Sequence, residues 1–470
     1  MFRAYGYRRA WLLVPLLAAV LLIAGWLVVR AQSPGNVTGT SAGFNPQGLT
    51  GPTVPAAPGR PSARPQPAGT GIDWPIYGLT PQRTKYLPLA RPLRPPFVER
   101  WRLTGGVLLE FTPVLCGRRL FLIKNNGALY AINKLTGRVL WKLKLGVLAA
   151  SSPACDGTTV YAVMLQRGSG VTGGRITAAD VTDGRIRWSR RLPSRSESSP
   201  LLLGDRIYIG SEDGTVYDLD KRTGAVRWTY RASGAVKGGT AADGDRLVFG
   251  DYSGAVTAIR RTDGTRIWST GTSGGAFGLR SGTFYGTPAV AYGRVFIGNT
   301  DGFMYAFGLQ NGGLAWRHRT GGYVYSGPAV SPVFGGTVYA GSYDQHIYAF
   351  DARTGRVRWR HDAGGRIVGS PVVIGDLVFY ANLGRRSVGA LGAANGRLVW
   401  SVGHGAFNPV ISDGRAIYLN GYSSLYLYTE AGVHANGSLT TAKQRARSRA
   451  YQRAKRARHA RWLRSQHRKR

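Results

Sequence analysis

Short apolar runs, broken every few residues by glycine beside a small polar residue, recur along most of this chain. "YAFDARTGRVRW", residues 348–359, is one; "YAINKLTGRVLW", ending at Trp141, and "YDLDKRTGAVRW", ending at Trp228, repeat it. Tryptophan stands at Trp101, Trp141, Trp188, Trp228, Trp268, Trp316, Trp359 and Trp400, at spacings of 40 to 48 residues. Seven of these eight have glycine four residues earlier, preceded by Thr, Asp or Asn. That pair is turn chemistry: glycine accepts positive φ, and the short polar side chain bonds its own backbone. Each unit also opens alike, as in "SSPLLLGDRIYIGS" and "GTPAVAYGRVFIGN", which predicts two short strands around a turn. Runs such as "GTVYDL" and "GFMYAF" predict a third strand, and the run ending in tryptophan a fourth. Four short antiparallel strands per unit of this length is a β-propeller blade. A sandwich would not repeat in sequence, and a β-helix has shorter coils.

The openings centre on Pro113, Pro153, Pro200, Thr240, Pro288, Pro328, Pro371 and Pro409, which predicts eight blades and an all-β fold. The eighth unit, "NPVISDGRAIYLNGYSSLYLYT", supplies three strands and no tryptophan. "FVERWRL", 97–103, holds a tryptophan with no unit before it. This N-terminal strand is expected to complete the last blade, so that closure removes two free sheet edges.

With motif, period and unit count in hand, residues 73–430 resemble the pyrroloquinoline quinone (PQQ)-type propeller repeat and its "ALDAxTGxxxW" tryptophan-docking motif. The resemblance implies that the eight tryptophans are structural, each stacking on the turn glycine of a neighbouring blade. "DWPIYGLTPQRTKYLP", 73–88, resembles the segment that leads into such propellers.

Charge and hydropathy change the picture at the two ends. Residues 11–29, "WLLVPLLAAVLLIAGWLVV", carry no charge. Such a run extends roughly 28 Å as a helix, enough for a hydrocarbon core. Arg3, Arg8 and Arg9 precede it, so the positive-inside rule places the N-terminus in the cytoplasm and the rest outside. Val29-Arg30-Ala31 weakly resembles a signal-peptidase site, which keeps cleavage as the alternative to a transmembrane anchor. Residues 31–72 hold eight Pro and eight Gly and read as a flexible spacer. The expected organisation is 1–30 cytoplasmic stub and anchor, 31–72 linker, 73–437 propeller and 438–470 basic tail.

The formal net charge is +39. Residues 441–470 hold 13 Lys/Arg and no acid, which predicts a tail drawn to anionic lipid or wall polymer. Outside the cytoplasm, nucleic acid is not the expected partner. For the middle of the chain a general arginine bias explains the charge as well as an anionic partner does.

Candidate chemistry is sparse. Two cysteines, Cys116 and Cys155, exclude a four-cysteine zinc site, and the seven histidines show no metal spacing. The cysteines follow equivalent prolines of adjacent blades by three and two residues, so they are candidates for a disulfide, against two separate buried thiols. The quinone dehydrogenases of the resembling family use a vicinal cysteine pair, a calcium held by acidic and amide side chains, and an Asp base. This chain has no adjacent cysteines, and most of its Asp residues fall in turns. No metal and no cofactor is expected. A dinucleotide-like Gly168–Gly173 lies between strands of one blade with no helix after it.

One ring of positions varies where a repeat should be uniform. Three residues before each opening stand Glu110, Ala150, Glu197, Lys237, Tyr285, Tyr325, Val368 and Ala406. Propeller ligands are expected over the axis near these positions, which makes Glu110, Glu197, Lys237, Tyr285 and Tyr325 a candidate binding funnel; unconstrained loop drift is the other explanation. The reading is a membrane-anchored, extracytoplasmic, non-catalytic propeller that binds another polypeptide as a scaffold. It is similar in build to the propeller lipoproteins that assist outer-membrane barrel assembly, but no cysteine follows the apolar run. The alternative is a quinone-dependent oxidoreductase.

Overall fold

The repeated turn is held by its own acidic or amide side chain. Asp351 Oδ1 accepts hydrogen bonds from the amides of Arg353 (3.0 Å) and Thr354 (2.8 Å) and from the Thr354 hydroxyl (3.0 Å). Gly355 then takes a φ of +75°, in the left-handed region where a side chain is strained. Strand Val357–Asp362 returns antiparallel to His346–Asp351. Asp220 and Asn133 hold the equivalent turns of two other blades in the same way.

The computed structural model describes residues 18–19, 35–49, 71–272 and 282–434. Eight sheets, each of four antiparallel strands, form the ring, and Tyr86–Leu87 adds a fifth, parallel strand to the inner edge of blade 7. Blade 1 is Val114–Cys116, Arg119–Lys124, Ala128–Asn133 and Val139–Lys144, from axis to rim. Blades 2 to 7 follow in chain order. Blade 8 has three consecutive strands, Val410–Ser412, Ala416–Asn420 and Leu425–Glu430, and Phe97–Leu103 pairs antiparallel with the last of them. The N-terminal strand therefore closes the ring. Inner strands are covered on both faces and read as continuous apolar runs, whereas rim strands such as Val226–Arg231 alternate. The core lies between blades: Val248, Val256 and Trp268 of blade 4, for example, pack on Val295, Ile297 and Phe307 of blade 5.

Beside each of the eight tryptophans the ladder register slips, as between Val357 and Trp359. A bulge of this kind bends the strand where the indole leaves for the next blade. Trp316 lies on Gly355, where a Cβ would meet the ring at 2.6 Å, and its N–H donates to the Ala352 carbonyl at 2.9 Å. Trp101, Trp141, Trp188, Trp228, Trp268 and Trp359 lie likewise on Gly137, Gly184, Gly224, Gly264, Gly312 and Gly396. Trp400 differs. It meets Phe97 edge-on at 5.3 Å and Tyr428 at 5.5 Å, because blade 8 has a break between its outer strands where the other blades have a turn glycine.

Two segments outside the blades take positions that the sequence pattern does not announce. Residues 72–87 run around the axis and cap the inner strands one after another. Hydrogen bonds join Ile72 to Asp413, Trp74 to Leu115, Cys155 to Pro75, Ala242 to Pro81, Val290 to Gln82, Val330 to Thr84 and Val373 to Lys85. Residues 35–49, inside the stretch expected to be free spacer, lie against blades 5 and 6. Val37 pairs with Arg317, the Asn45 amide donates to the Tyr292 carbonyl at 2.9 Å, and Phe44 stacks on Tyr292 at 5.1 Å. Their backbone groups find partners on a rim strand and in the turn after an inner strand, which a Pro/Gly count cannot reveal.

Cys116 and Cys155 are joined as a disulfide between blades 1 and 2, with Cα atoms 6.4 Å apart. Among the described residues no helix is long and apolar enough to cross a membrane. The apolar run 11–29, except for residues 18 and 19, and the basic tail 438–470 lie outside the described residues.

Candidate functional site

The loops that lead into the inner strands converge at one end of the axis and enclose a cavity of about 250 Å³. Glu110, Glu197, Lys237, Tyr285 and Tyr325 all line it, as does Val368. Ala150 and Ala406 do not; both are buried beside it in the ring. The sequence order thus becomes a closed arrangement in which residues of six different blades face one another.

Glu197 is the hub. Lys237 Nζ lies 2.8 Å from Glu197 Oε1 and 2.8 Å from Glu212 Oε1. The Tyr285 hydroxyl donates to Glu197 Oε2 at 2.7 Å. Burial by itself would lower the Lys237 ammonium, but its two carboxylate partners hold it well above the usual lysine range. Burial, with the Glu197 charge beside it, pushes the Tyr285 phenol far up, so it remains a hydroxyl donor. Glu110 stands apart. Among the described residues its carboxylate accepts from the Asn125 side chain alone, at 3.1 Å, and burial raises its carboxyl above the ordinary range.

The aromatic wall is continuous. Tyr285 and Tyr325 stack with centroids 4.1 Å apart and planes at 21°. Tyr343 lies 5.9 Å from Tyr325, Tyr323 lies 5.6 Å from Tyr343, and Tyr252 lies 6.3 Å from Tyr285. Lys237 Nζ sits over the Tyr252 ring at 5.4 Å.

Tyr77, from the axial segment, lines the cavity and bonds Ser370 at 2.7 Å. Beside it the same segment buries two cations that have no carboxylate partner among the described residues. Arg83 donates to the carbonyls of Tyr77, Thr240, Ser199 and Pro200, and Lys85 to those of Arg83 and Pro328. Burial draws both cations down from their ordinary values, Lys85 to about 7.

Reading one ring of positions missed Asn125, Glu212, Tyr252 and Tyr343. They occupy one place in the turn between the second and third strands: "KNNG", "SEDG", "DYSG" and "SYDQ". That place varies as widely as the first ring, and a second alignment of the repeats at this turn would have found it.

The side chains do not suit a quinone held with calcium. Glu197 and Glu212 are committed to Lys237, and Glu110 is left with an amide. The two cysteines belong to different blades rather than one vicinal pair. Among the described residues no group of three His, Cys, Asp or Glu is placed to hold a metal ion.

The model of the family described as outer membrane protein assembly factor BamB matches residues 92–173, 125–326 and 300–435. No curated protein sequence matches the chain. Among solved structures, BamB from Moraxella catarrhalis superposes with a TM-score of 0.59 at 18% identity, over 71% of this chain and 99% of that one. The quinohemoprotein alcohol dehydrogenase of Comamonas testosteroni gives 0.62 at 14% identity, over 80% of this chain and 82% of that one. A europium-containing methanol dehydrogenase gives 0.61 at 14%, over 76% and 98%. At these identities the structural likenesses speak for the propeller fold, which binding proteins and dehydrogenases share.

Proposed function

From the premise that this chain belongs to the family described as outer membrane protein assembly factor BamB, we propose that it is a non-catalytic binding module for another polypeptide, with the axial cavity as its binding site. In this reading residues 11–29 anchor the propeller to the membrane and hold it outside the cytoplasm, while the basic tail meets anionic lipid or wall polymer. The observation that carries the reading is the tyrosine and carboxylate cup, assembled from six blades on a closed ring. Tyrosine offers a large contact area at low entropic cost and is enriched where proteins bind. An oxidoreductase would need a redox group, and Glu197, Glu212 and Lys237 are occupied with one another instead.

The test is a pair of measurements on Tyr285→Ala/Tyr325→Ala. Partners crosslinked to the full chain in its host membrane should be lost from the double variant, while its thermal melt stays within a few degrees. The docking tryptophans and turn glycines are untouched by the change. Unaltered crosslinking by a folded double variant would sink the cup as the binding site.

A further inference from the structure

We propose that the cup receives a cationic side chain, a guanidinium or ammonium group carried on an extended basic segment of polypeptide; this rests on the reading of the cup as a polypeptide site. Three observations meet here. The first is an uncompensated carboxylate. Lys237, the cation lining the cavity, is taken by Glu197 and Glu212, so the Glu110 carboxyl faces an amide alone among the described residues. In a chain of net charge +39 a cation for Glu110 would be easy to supply from within, yet among the described residues none is paired with it. A half-buried carboxylate gains most from a partner that brings its own positive charge.

The second is the stacked pair Tyr285 and Tyr325, whose ring faces are electron-rich. Lys237 over Tyr252 already shows a cation on such a face in this cup. The third is Ser326, which lines the cavity, is 5% exposed, and has an Oγ with no hydrogen-bond partner. An arginine has five N–H donors to share among a carboxylate, a hydroxyl oxygen and a ring face.

Size agrees. A helix with its side chains is about 10–12 Å across, too wide for this space, whereas one long side chain enters it. The donor has two sources: a partner protein, or this chain's own tail, with its 13 Lys/Arg in residues 441–470. The chemistry is the same for both.

The experiment titrates the full chain in detergent with a synthetic peptide copying residues 441–470. A second peptide carries citrulline for every Arg and Gln for every Lys. A protein of +39 repels a basic peptide in general, so saturable binding reports a local site. The basic peptide should bind and the neutral one should not. Glu110→Gln should weaken the basic peptide roughly tenfold, the loss expected for one charge-assisted hydrogen bond. Tyr325→Leu, at a position away from Glu110, should weaken it several-fold, and a melt of each variant checks the fold. Ending the chain at residue 434 separates the sources: affinity rises if the tail competes in place, and stays level if a partner supplies the cation. Equal binding of both peptides, still lost in the tyrosine double variant, overturns the cationic class and leaves the cup as a polypeptide site. Partner crosslinking that needs the two tyrosines while neither peptide binds overturns it too.

Discussion

At the residue scale, two kinds of position do different work. The docking tryptophans and their glycines spread one local contact around the ring, each linking a rim strand to the next blade's turn. Lys85 is of the other kind: a single buried ammonium, 1% exposed, with carbonyl partners and, among the described residues, no carboxylate. Burial, and Arg83 nearby, lower it from 10.5 to about 7. The native state therefore releases this proton near pH 7 and the unfolded chain near 10.5, so between the two the unfolded state binds more protons. Stability should rise with pH across that window, with a slope approaching about 1.4 kcal/mol per pH unit from this group. Lys85→Met should lack that rise. Urea unfolding of both proteins from pH 7 to 9.5 measures the difference; parallel curves would show that burial does not lower the Lys85 ammonium.

At the element scale, segments outside the blades complete what the blades leave open. The axial segment accepts from inner-strand amides of six blades that would otherwise face the channel unpaired, and its Ile72 amide donates to the Asp413 carbonyl of blade 8. Strand Phe97–Leu103 covers an edge of blade 8. Residues 35–49 lie along blade 5, where the rim-strand Arg317 amide donates to Val37 at 3.1 Å and the amide of Tyr292, in the turn after the inner strand, donates to Gly48 at 2.8 Å. Removing 35–49 should speed hydrogen exchange at the Arg317 and Tyr292 amides and leave blades 1 to 3 unchanged. Removing 97–103 should instead lower protection around the whole ring. Equal exchange at Arg317 with and without the strap would mean that the spacer is free.

At the scale of the whole molecule, the ring is held by contacts that repeat and by links that occur once. The buried pair Lys134 and Asp413, 3.2 Å apart, joins blade 1 to blade 8 at the closure. The disulfide joins blade 1 to blade 2 across a sequence separation of 39. By loop-closure entropy a link of that span stabilises by about 3–4 kcal/mol. Reduced protein, or Cys116→Ser/Cys155→Ser, should therefore unfold at lower denaturant with the slope of the transition little changed. An unshifted midpoint would show that the bond constrains nothing the ring does not already hold. Neither change touches the cup, so peptide capture should persist at temperatures where the ring is folded.

In the sequence by itself, turn chemistry and strand period gave the blade count and the closing strand; the family resemblance implied that all eight tryptophans dock on a neighbouring glycine, and seven do. These signals are local and repeat, so eight imperfect copies report the same answer. The sequence also assembled part of the cup, since Glu110, Glu197, Lys237, Tyr285 and Tyr325 stand at one place in the repeat. Only the tertiary structure decided how those side chains pair. Tyr285 reaches Glu197 across 88 residues, Lys237 is claimed by Glu197 and Glu212, and among the described residues Glu110 bonds an amide rather than a cation. It alone decided that 72–87 lines the axis, that 35–49 docks, and that the two cysteines meet. The physical reason is that these contacts are each made once, across the ring. Their partners are chosen by blade curvature and by which groups remain unpaired after the sheets have formed, and neither quantity is written in any one repeat.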